Sequence, residues 1–201
     1  MEIFITILLV GFALNAFIRR DQGVRIALLG AYLAQYQIET LMANLIQGYL
    51  RALGEADPER QASIWSNLKT SEVELCRQFN AFVLSFAKVG EPQARVSKLP
   101  FALPYAAQWW PGHTFDVRKV LAIHAKAITM AATESDDRTR KQQAFTMMAE
   151  LFLMQHTCHW YCRSRLVASA RLMAQHKSPY AQVLDSVAPQ TRQAYCAVVG
   201  R

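Results

Sequence analysis

The chain begins with a segment that carries almost no polar residue, whereas the rest of the sequence mixes apolar and polar positions. Residues 3–18 read IFITILLVGFALNAFI, and Arg19, Arg20 and Arg25 follow this segment. A secretory signal carries its positive charge before the apolar run, so the order found here is not typical of a cleaved signal. The pattern predicts a transmembrane anchor.

The direction and the length of the anchor follow from the same pattern. Positive flanks remain on the cytoplasmic side, so we expect a single-pass protein of a bacterial inner membrane, with residues 1–20 as anchor and 21–201 as a cytoplasmic domain. Roughly 16 apolar residues are slightly fewer than the roughly 20 that cross hydrocarbon, and local thinning of the bilayer can absorb the difference. The alternative interpretation is a buried core helix. We favour membrane contact through residues 1–18.

Beyond the anchor, apolar residues recur in steps of three and four, as on one face of a helix. No stretch shows the sustained alternation that is typical of strands. The predicted fold class is all-α: a single transmembrane (or long apolar) helix followed by a bundle of about four to six helices. Helix start signals, among them Asp57-Pro58 and a capping-box pattern at residues 133–136, divide the chain. We expect helices over residues 24–53, 58–89, 115–132 and 133–176, and short ones beginning near Pro179 and Pro189.

Three of these helices carry a stripe that predicts a packed seam. The stripe of the helix over 24–53 has small residues that permit close approach of a neighbouring helix. The other two stripes are larger and aromatic or aliphatic, and each is interrupted by a polar residue. The three stripes are Ala27, Ala31, Ala34, Ile38, Leu41, Leu45, Gly48 and Ala52; Trp65, Leu68, Glu72, Leu75, Phe79, Phe82 and Phe86; and Val117, Val120, Leu121, His124, Ile128 and Ala131.

A connection rich in proline and aromatic residues separates the predicted helices at residues 90–112. It contains Pro92, Pro100, Pro104 and Pro111 together with several aromatic side chains. A segment with that aromatic content is not a solvated linker, because aromatic side chains bury large apolar areas. We expect it to pack on the bundle or to lie at a lipid or protein interface, with Trp109 and Trp110 as interaction residues.

The last long helix, over 133–176, has polar residues inside its predicted apolar stripe. At 100° per residue, Gln155, His159 and Cys162 fall on the inward face, whereas Glu150 falls on the charged side. Glu72 and His124 interrupt the other stripes in the same way, and buried polar groups need partners. The apolar positions of this last stripe are Met148, Phe152, Leu166, Ala170 and Met173.

Two interpretations satisfy these inward polar groups. In the first, they hydrogen-bond to one another and bind nothing. In the second, Glu72, His124 and His159, with Cys162 or Cys158 nearby, hold a transition metal or a haem, as bundle cores can. The sequence contains no HExxH motif, and the two cysteines lack zinc-finger spacing and the CxxCH pattern. The first interpretation therefore predicts no cofactor, and the metal site remains an alternative.

The charge of the chain favours acidic partners. Its net charge is +7. Residues 151–184 contain no acid, and this interval holds Arg163, Arg165, Arg171 and Lys177. These cations are spread around a helix without interleaved aromatic residues, so contact with anionic lipid is favoured over contact with nucleic acid. A membrane-tethered basic adaptor that contacts nucleic acid is the second alternative function.

Composition and motifs narrow the function further. Hydrophobic residues make up 52% of the 201 residues, which excludes a disordered chain. The four cysteines are interpreted as reduced thiols. Because no GxSxG, Walker or Rossmann motif occurs, an enzyme is not indicated. We expect a non-enzymatic, membrane-anchored scaffold or interaction subunit of a larger assembly, with a protein partner or a second copy. A metal- or haem-binding bundle, an oxidase-like enzyme or a sensor, is the first alternative.

Overall fold

The computed structural model describes residues 2–133 and 139–200 of the chain. They form a long apolar N-terminal helix followed by a helical bundle, so the predicted fold class is confirmed. The helices are α1 (Glu2–Leu33), α2 (Ile38–Gly54), α3 (Pro58–Phe86), α4 (Glu91–Ala94), α5 (Ala106–Trp109), α6 (Val117–Ala132), α7 (Arg140–Cys162), α8 (Arg165–His176), α9 (Tyr180–Ser186) and α10 (Pro189–Val199), and a 3-10 turn covers Pro111–His113.

Helix α1 continues past the end of the predicted anchor to Leu33 without a break. The prediction of one helix over 24–53 is therefore wrong, because its first part belongs to α1 and its second part to α2. The chain turns at residues 34–37, where the Gln37 amide donates to Gln78 Oε1 at 2.6 Å. Residues 34–37 contain neither glycine nor proline. The turn depends instead on the side chain of Gln78, which is distant in the sequence, and so the local sequence does not mark it. The seam of small residues therefore splits: Ala27, Ala31 and Ala34 are exposed, whereas Leu45 and Ala52 are buried on α2.

Helices α3 and α6 carry the core that the sequence predicts. Asp57 caps α3 by accepting from the amides of Glu59 and Arg60. The stripe on α3 from Leu68 to Phe86 is buried, and every residue predicted for the α6 stripe is buried as well. Helix α2 approaches α3 so closely that a Cβ on Gly48 would overlap the Leu68 side chain. A larger residue at position 48 would therefore require the Leu68 side chain to move.

Helix α7 differs from the predicted helix over 133–176 at both ends. It begins at Arg140 behind a capping box made by Thr139 and Gln142, and residues 134–136 of the predicted box lie outside the described part of the chain. The helix ends at Cys162, and Ser164 caps α8 by accepting from Val167 N. This break turns the register, so Leu166, Ala170 and Met173 are exposed and the predicted stripe is wrong beyond it.

The connection over 90–112 contains a feature that the sequence did not indicate. Strands β1 (Arg95–Ser97) and β2 (Thr114–Asp116) pair antiparallel, with Val96 opposite Phe115. Trp160 on α7 donates to the Ser97 carbonyl at 3.0 Å, and its ring meets Phe115 edge to face. Three-residue strands are too short to show an alternating pattern, so this ribbon had no detectable signal. It fixes both ends of the aromatic loop to α7.

Candidate functional site

The inward carboxylate Glu72 is buried and held by two residues from other helices. Tyr49 donates to Glu72 Oε1 at 2.7 Å, and Arg140 Nη1 lies 3.6 Å from Oε2. Burial, followed by the neighbouring carboxylate, raises the pKa of Tyr49 well above its usual range, so the phenol stays a donor. The prediction that Glu72 points inward is correct, and its partners are a phenol and a guanidinium.

His124 is completely buried on α6, as its stripe predicts. Its Nε2 lies 2.9 Å from the Thr157 hydroxyl of α7, and its ring lies 5.7 Å from the Tyr195 ring. Burial, with a smaller contribution from His156, lowers the pKa of His124 to about 3. The imidazole is therefore neutral across the physiological range.

The other residues predicted to point inward lie on the half-buried side of α7. His159 and Cys162 are each partly exposed, and Gln155 Oε1 contacts His176 Nε2 at 2.7 Å. Burial raises the pKa of Cys158 to about 12 and that of Cys162 to about 11. Both groups are protonated thiols at neutral pH, which makes them poor nucleophiles.

Two buried ionisable residues of α7 were missed by the sequence reasoning. Glu150, predicted on the charged side, is fully buried, and its Oε1 accepts from the Ala188 amide at 3.0 Å. Burial raises the pKa of Glu150 to about 7. His156 is also fully buried; it contacts Ser169 at 3.1 Å and stacks on Tyr180. Polar and apolar residues are not separated onto opposite sides of α7, so its sequence carries no signal that could have shown these two residues facing inward.

The four residues proposed as metal ligands are not assembled into one site. Glu72 is bound by Tyr49 and Arg140, and His124 by Thr157. Across residues 2–133 and 139–200, no three His, Cys, Asp or Glu side chains are grouped so that they could hold a metal ion. The hydrogen bonds of the first interpretation, from one inward polar group to another, are not found among the described residues either. Glu72 pairs with a tyrosine and an arginine, His124 with a threonine, and Gln155 with His176.

The residues predicted for interaction occupy two regions. Trp109 and Trp110 are exposed in the loop after β1, by 72% and 56%. Arg163 donates to Gln22 of α1 at 2.7 Å, and Arg165 lies over the Trp160 ring at 5.7 Å. Arg171 and Lys177 are exposed further along α8 and at its end. Of these four cations, Arg163 thus contacts the N-terminal helix, and Arg165 contacts α7.

Helix α1 has two parts with opposite surroundings. Its N-terminal part, residues 2–17, is exposed at every position. Its C-terminal part is fixed: besides the Gln22 contact, Arg25 Nη1 donates to the Arg95 carbonyl at 3.0 Å and lies over the Tyr161 ring. By length and composition, α1 is the one described helix that could cross a membrane.

A groove opens between α2, α7 and α9, away from the end that holds α1. It has a volume of about 850 Å³, and among the described residues no acid lines it. Leu50 and Phe145 on its walls are half exposed, and Phe152, Gln182 and Lys177 also line it. The distance along the axis of α7 from Arg163, beside α1, to Phe152, in the groove, is about 16 Å at 1.5 Å per residue. We call this groove the α2–α7–α9 groove.

Comparisons with protein-family models, with curated proteins and with solved structures give no match.

Proposed function

We propose that this chain is a membrane-anchored interaction subunit, a helical scaffold in a larger assembly at a bacterial inner membrane. One observation carries the proposal: α1 is a continuous helix whose apolar part is exposed at residues 3–17 in the described structure, while its following part is fixed to the bundle. A contiguous apolar surface of that size needs cover from outside the chain. A bilayer covers a helix on all sides, as this part of α1 requires.

The charges at the two ends of the apolar part support one direction of insertion. Glu2 precedes it, whereas Arg19 and Arg20 follow it and are exposed. Because positive flanks stay in the cytoplasm, the N-terminus lies outside and the bundle lies inside. Carbonate extraction tests insertion, and protease protection in spheroplasts tests direction. Release of the full chain into the soluble fraction would refute the anchor, and cleavage of the bundle from outside would refute the direction.

The α2–α7–α9 groove supports the interaction role. Its exposed apolar walls, with Lys177 and no described acid in its lining, suit an amphipathic partner helix that carries acidic residues beside its apolar face. Because the groove lies away from α1, it faces the cytoplasm when α1 is inserted. A partner bound there would be held at the membrane without entering it.

The groove is tested by comparing partners recovered from cells with the wild type and with matched variants. Leu50→Glu with Phe145→Glu places two charges on the walls of the groove, while Leu84→Glu places one on an exposed leucine of α3 outside it. We expect a stoichiometric partner that is retained by Leu84→Glu and reduced at least about tenfold by the groove variant, which corresponds to about 1.4 kcal/mol of binding free energy. Equal recovery with all three proteins would refute the groove as the binding site.

A further inference from the structure

The end of the bundle nearest the anchor lies close to the membrane surface. The apolar part of α1 ends at Ile18, and Gln22, which binds Arg163, is about 6 Å further along the helix axis. The headgroup layer of a bilayer is about 5–8 Å thick on each side. When α1 is inserted, the C-terminal end of α7 therefore lies at headgroup level.

An exposed aromatic and apolar surface occupies this end of the bundle. Phe101 and Leu103 line a small cavity together with Asp21 of α1 and Arg163, which follows α7. The Leu166 amide donates to the Pro100 carbonyl at 2.9 Å, which joins the first turn of α8 to the loop. We call this the juxtamembrane surface; its exposed side chains are Phe101, Tyr105, Trp109 and Trp110 of the loop and Leu166 and Val167 of α8.

The charges beside this surface are positive. Arg19 and Arg20 are exposed on α1, and Lys98 and Arg165 belong to the loop and to the first turn of α8. The nearby acid Asp21 is neutralised by Arg25 at 2.9 Å. Tryptophan and tyrosine flanked by arginine and lysine have the composition of a membrane interface, where the rings lie among the headgroups and the cations meet anionic lipids.

The short span of the anchor draws the bundle toward the bilayer. Residues 3–18 make a helix of roughly 24 Å, whereas the hydrocarbon layer is about 30 Å thick. Thinning of the bilayer around a short span lowers the lipid surface toward the residues that follow. Only Arg19 to Asp21 separate the apolar part of α1 from Gln22, which accepts a hydrogen bond from the bundle.

We propose that the juxtamembrane surface enters the headgroup layer of an anionic bilayer as a second membrane contact, next to the anchor. It would fix the orientation of the bundle, so that the α2–α7–α9 groove points away from the lipid. The inference rests on the membrane anchoring proposed above. A lipid surface is the occupant that the geometry favours, since Phe101 of this surface lies beside Asp21, three residues after the apolar part of α1, and the surface carries the complementary charge.

The test uses the full chain in vesicles and the quenching of tryptophan emission by dibrominated phosphatidylcholine. Two of the four tryptophans, Trp109 and Trp110, belong to the surface, while Trp160 is buried and Trp65 is half-buried on α3. In vesicles of phosphatidylcholine and phosphatidylglycerol, we expect wild-type emission to fall by roughly half, because the two interfacial rings reach the lipid. The Trp109→Phe, Trp110→Phe variant should lose this quenching.

The charge of the lipid provides a second readout. Arg165→Gln should weaken quenching in anionic vesicles, while the matched Arg171→Gln, on α8 beyond the juxtamembrane surface, should not. The inference is overturned if wild type and the double tryptophan variant are quenched equally, whether strongly or not at all, or if phosphatidylglycerol makes no difference. Retention after carbonate treatment of the same vesicles reports on the anchor separately: a retained chain without quenching refutes this inference alone, and a released chain refutes the proposed function.

Discussion

The N-terminal part of α1 and helix α7 both lack a distinct polar side, but their surroundings differ. Helices α1, α2, α6, α8 and α9 surround α7, and most of its apolar side chains are buried. Residues 2–17 of α1 are exposed throughout. An apolar helix needs cover on all sides. Other helices of the chain bury α7, whereas the apolar surface of residues 2–17 of α1 can be buried only by something outside the chain.

Polar residues sharpen the contrast between the two helices. Helix α7 carries the buried residues Glu150 and His156, each with a partner from another helix. Within the apolar part of α1, Asn15 is bound by Arg19 of the same helix at 2.8 Å, so it needs no partner from the bundle. A core helix can place polar groups opposite protein partners, whereas a membrane helix must satisfy them locally. Asn15 thus has a partner within α1, whereas Glu150 and His156 have partners outside α7.

The largest expected effect is a difference in the free energy of unfolding between two leucine variants, one at a buried and one at an exposed position. Leu151 on α7 is fully buried, while Leu9 on α1 is 62% exposed. Leu151→Ala should lower the free energy of unfolding by about 2–5 kcal/mol, because it removes contacts and leaves a cavity. Leu9→Ala should leave it unchanged within about 0.5 kcal/mol. Denaturant unfolding of the full chain in detergent measures both. A comparable loss at Leu9 would mean that α1 packs on protein.

The next effect concerns insertion. Val10→Arg places a charge near the middle of the apolar part of α1, which costs about 2.5–3.5 kcal/mol of insertion free energy. We expect the fraction that resists carbonate extraction to fall sharply. Val73→Arg on α3 is the matched control, since both valines are well exposed in the bundle structure. If both variants stay in the membrane fraction, α1 is not the anchor.

The same contrast explains which features could be predicted from the sequence. The stripes of α3 and α6 have a charged opposite side, so the inward face was identified correctly down to Glu72 and His124. Helix α7 has no polar side that orients it, and its predicted register placed Glu150 outside. The turn at residues 34–37 and the break at Arg163 were missed, because neither position carries a proline or glycine. Tertiary contacts, such as Gln37 with Gln78, determine them.

The buried carboxyl of Glu150 gives a pH-dependent effect of intermediate size. Its folded pKa of about 7 lies above the unfolded value of 4.5. The folded state therefore binds more protons between these values, and its contribution to stability is complete below pH 4.5 and declines as pH rises to 7. Glu150→Gln keeps an acceptor for Ala188 and removes the titration. From pH 5 to pH 8, wild type should lose about 2–3 kcal/mol relative to this variant in denaturant unfolding. Parallel pH profiles would contradict the assignment.

The smallest expected effect distinguishes the scaffold from the metalloprotein. His159 is half-buried on α7, so His159→Ala should cost less than about 1 kcal/mol. His124→Ala is the matched change at a buried histidine; it removes the partner of Thr157 and should cost about 1–3 kcal/mol.

Elemental analysis of both variants and of the wild type, with and without chelator, accompanies the thermal melts. We expect no stoichiometric metal in any of them and no change with chelator, because Glu72 and His124 are bound by other side chains. A stoichiometric transition metal that is lost in His159→Ala, with a melting temperature that then falls with chelator, would favour the metal-binding alternative.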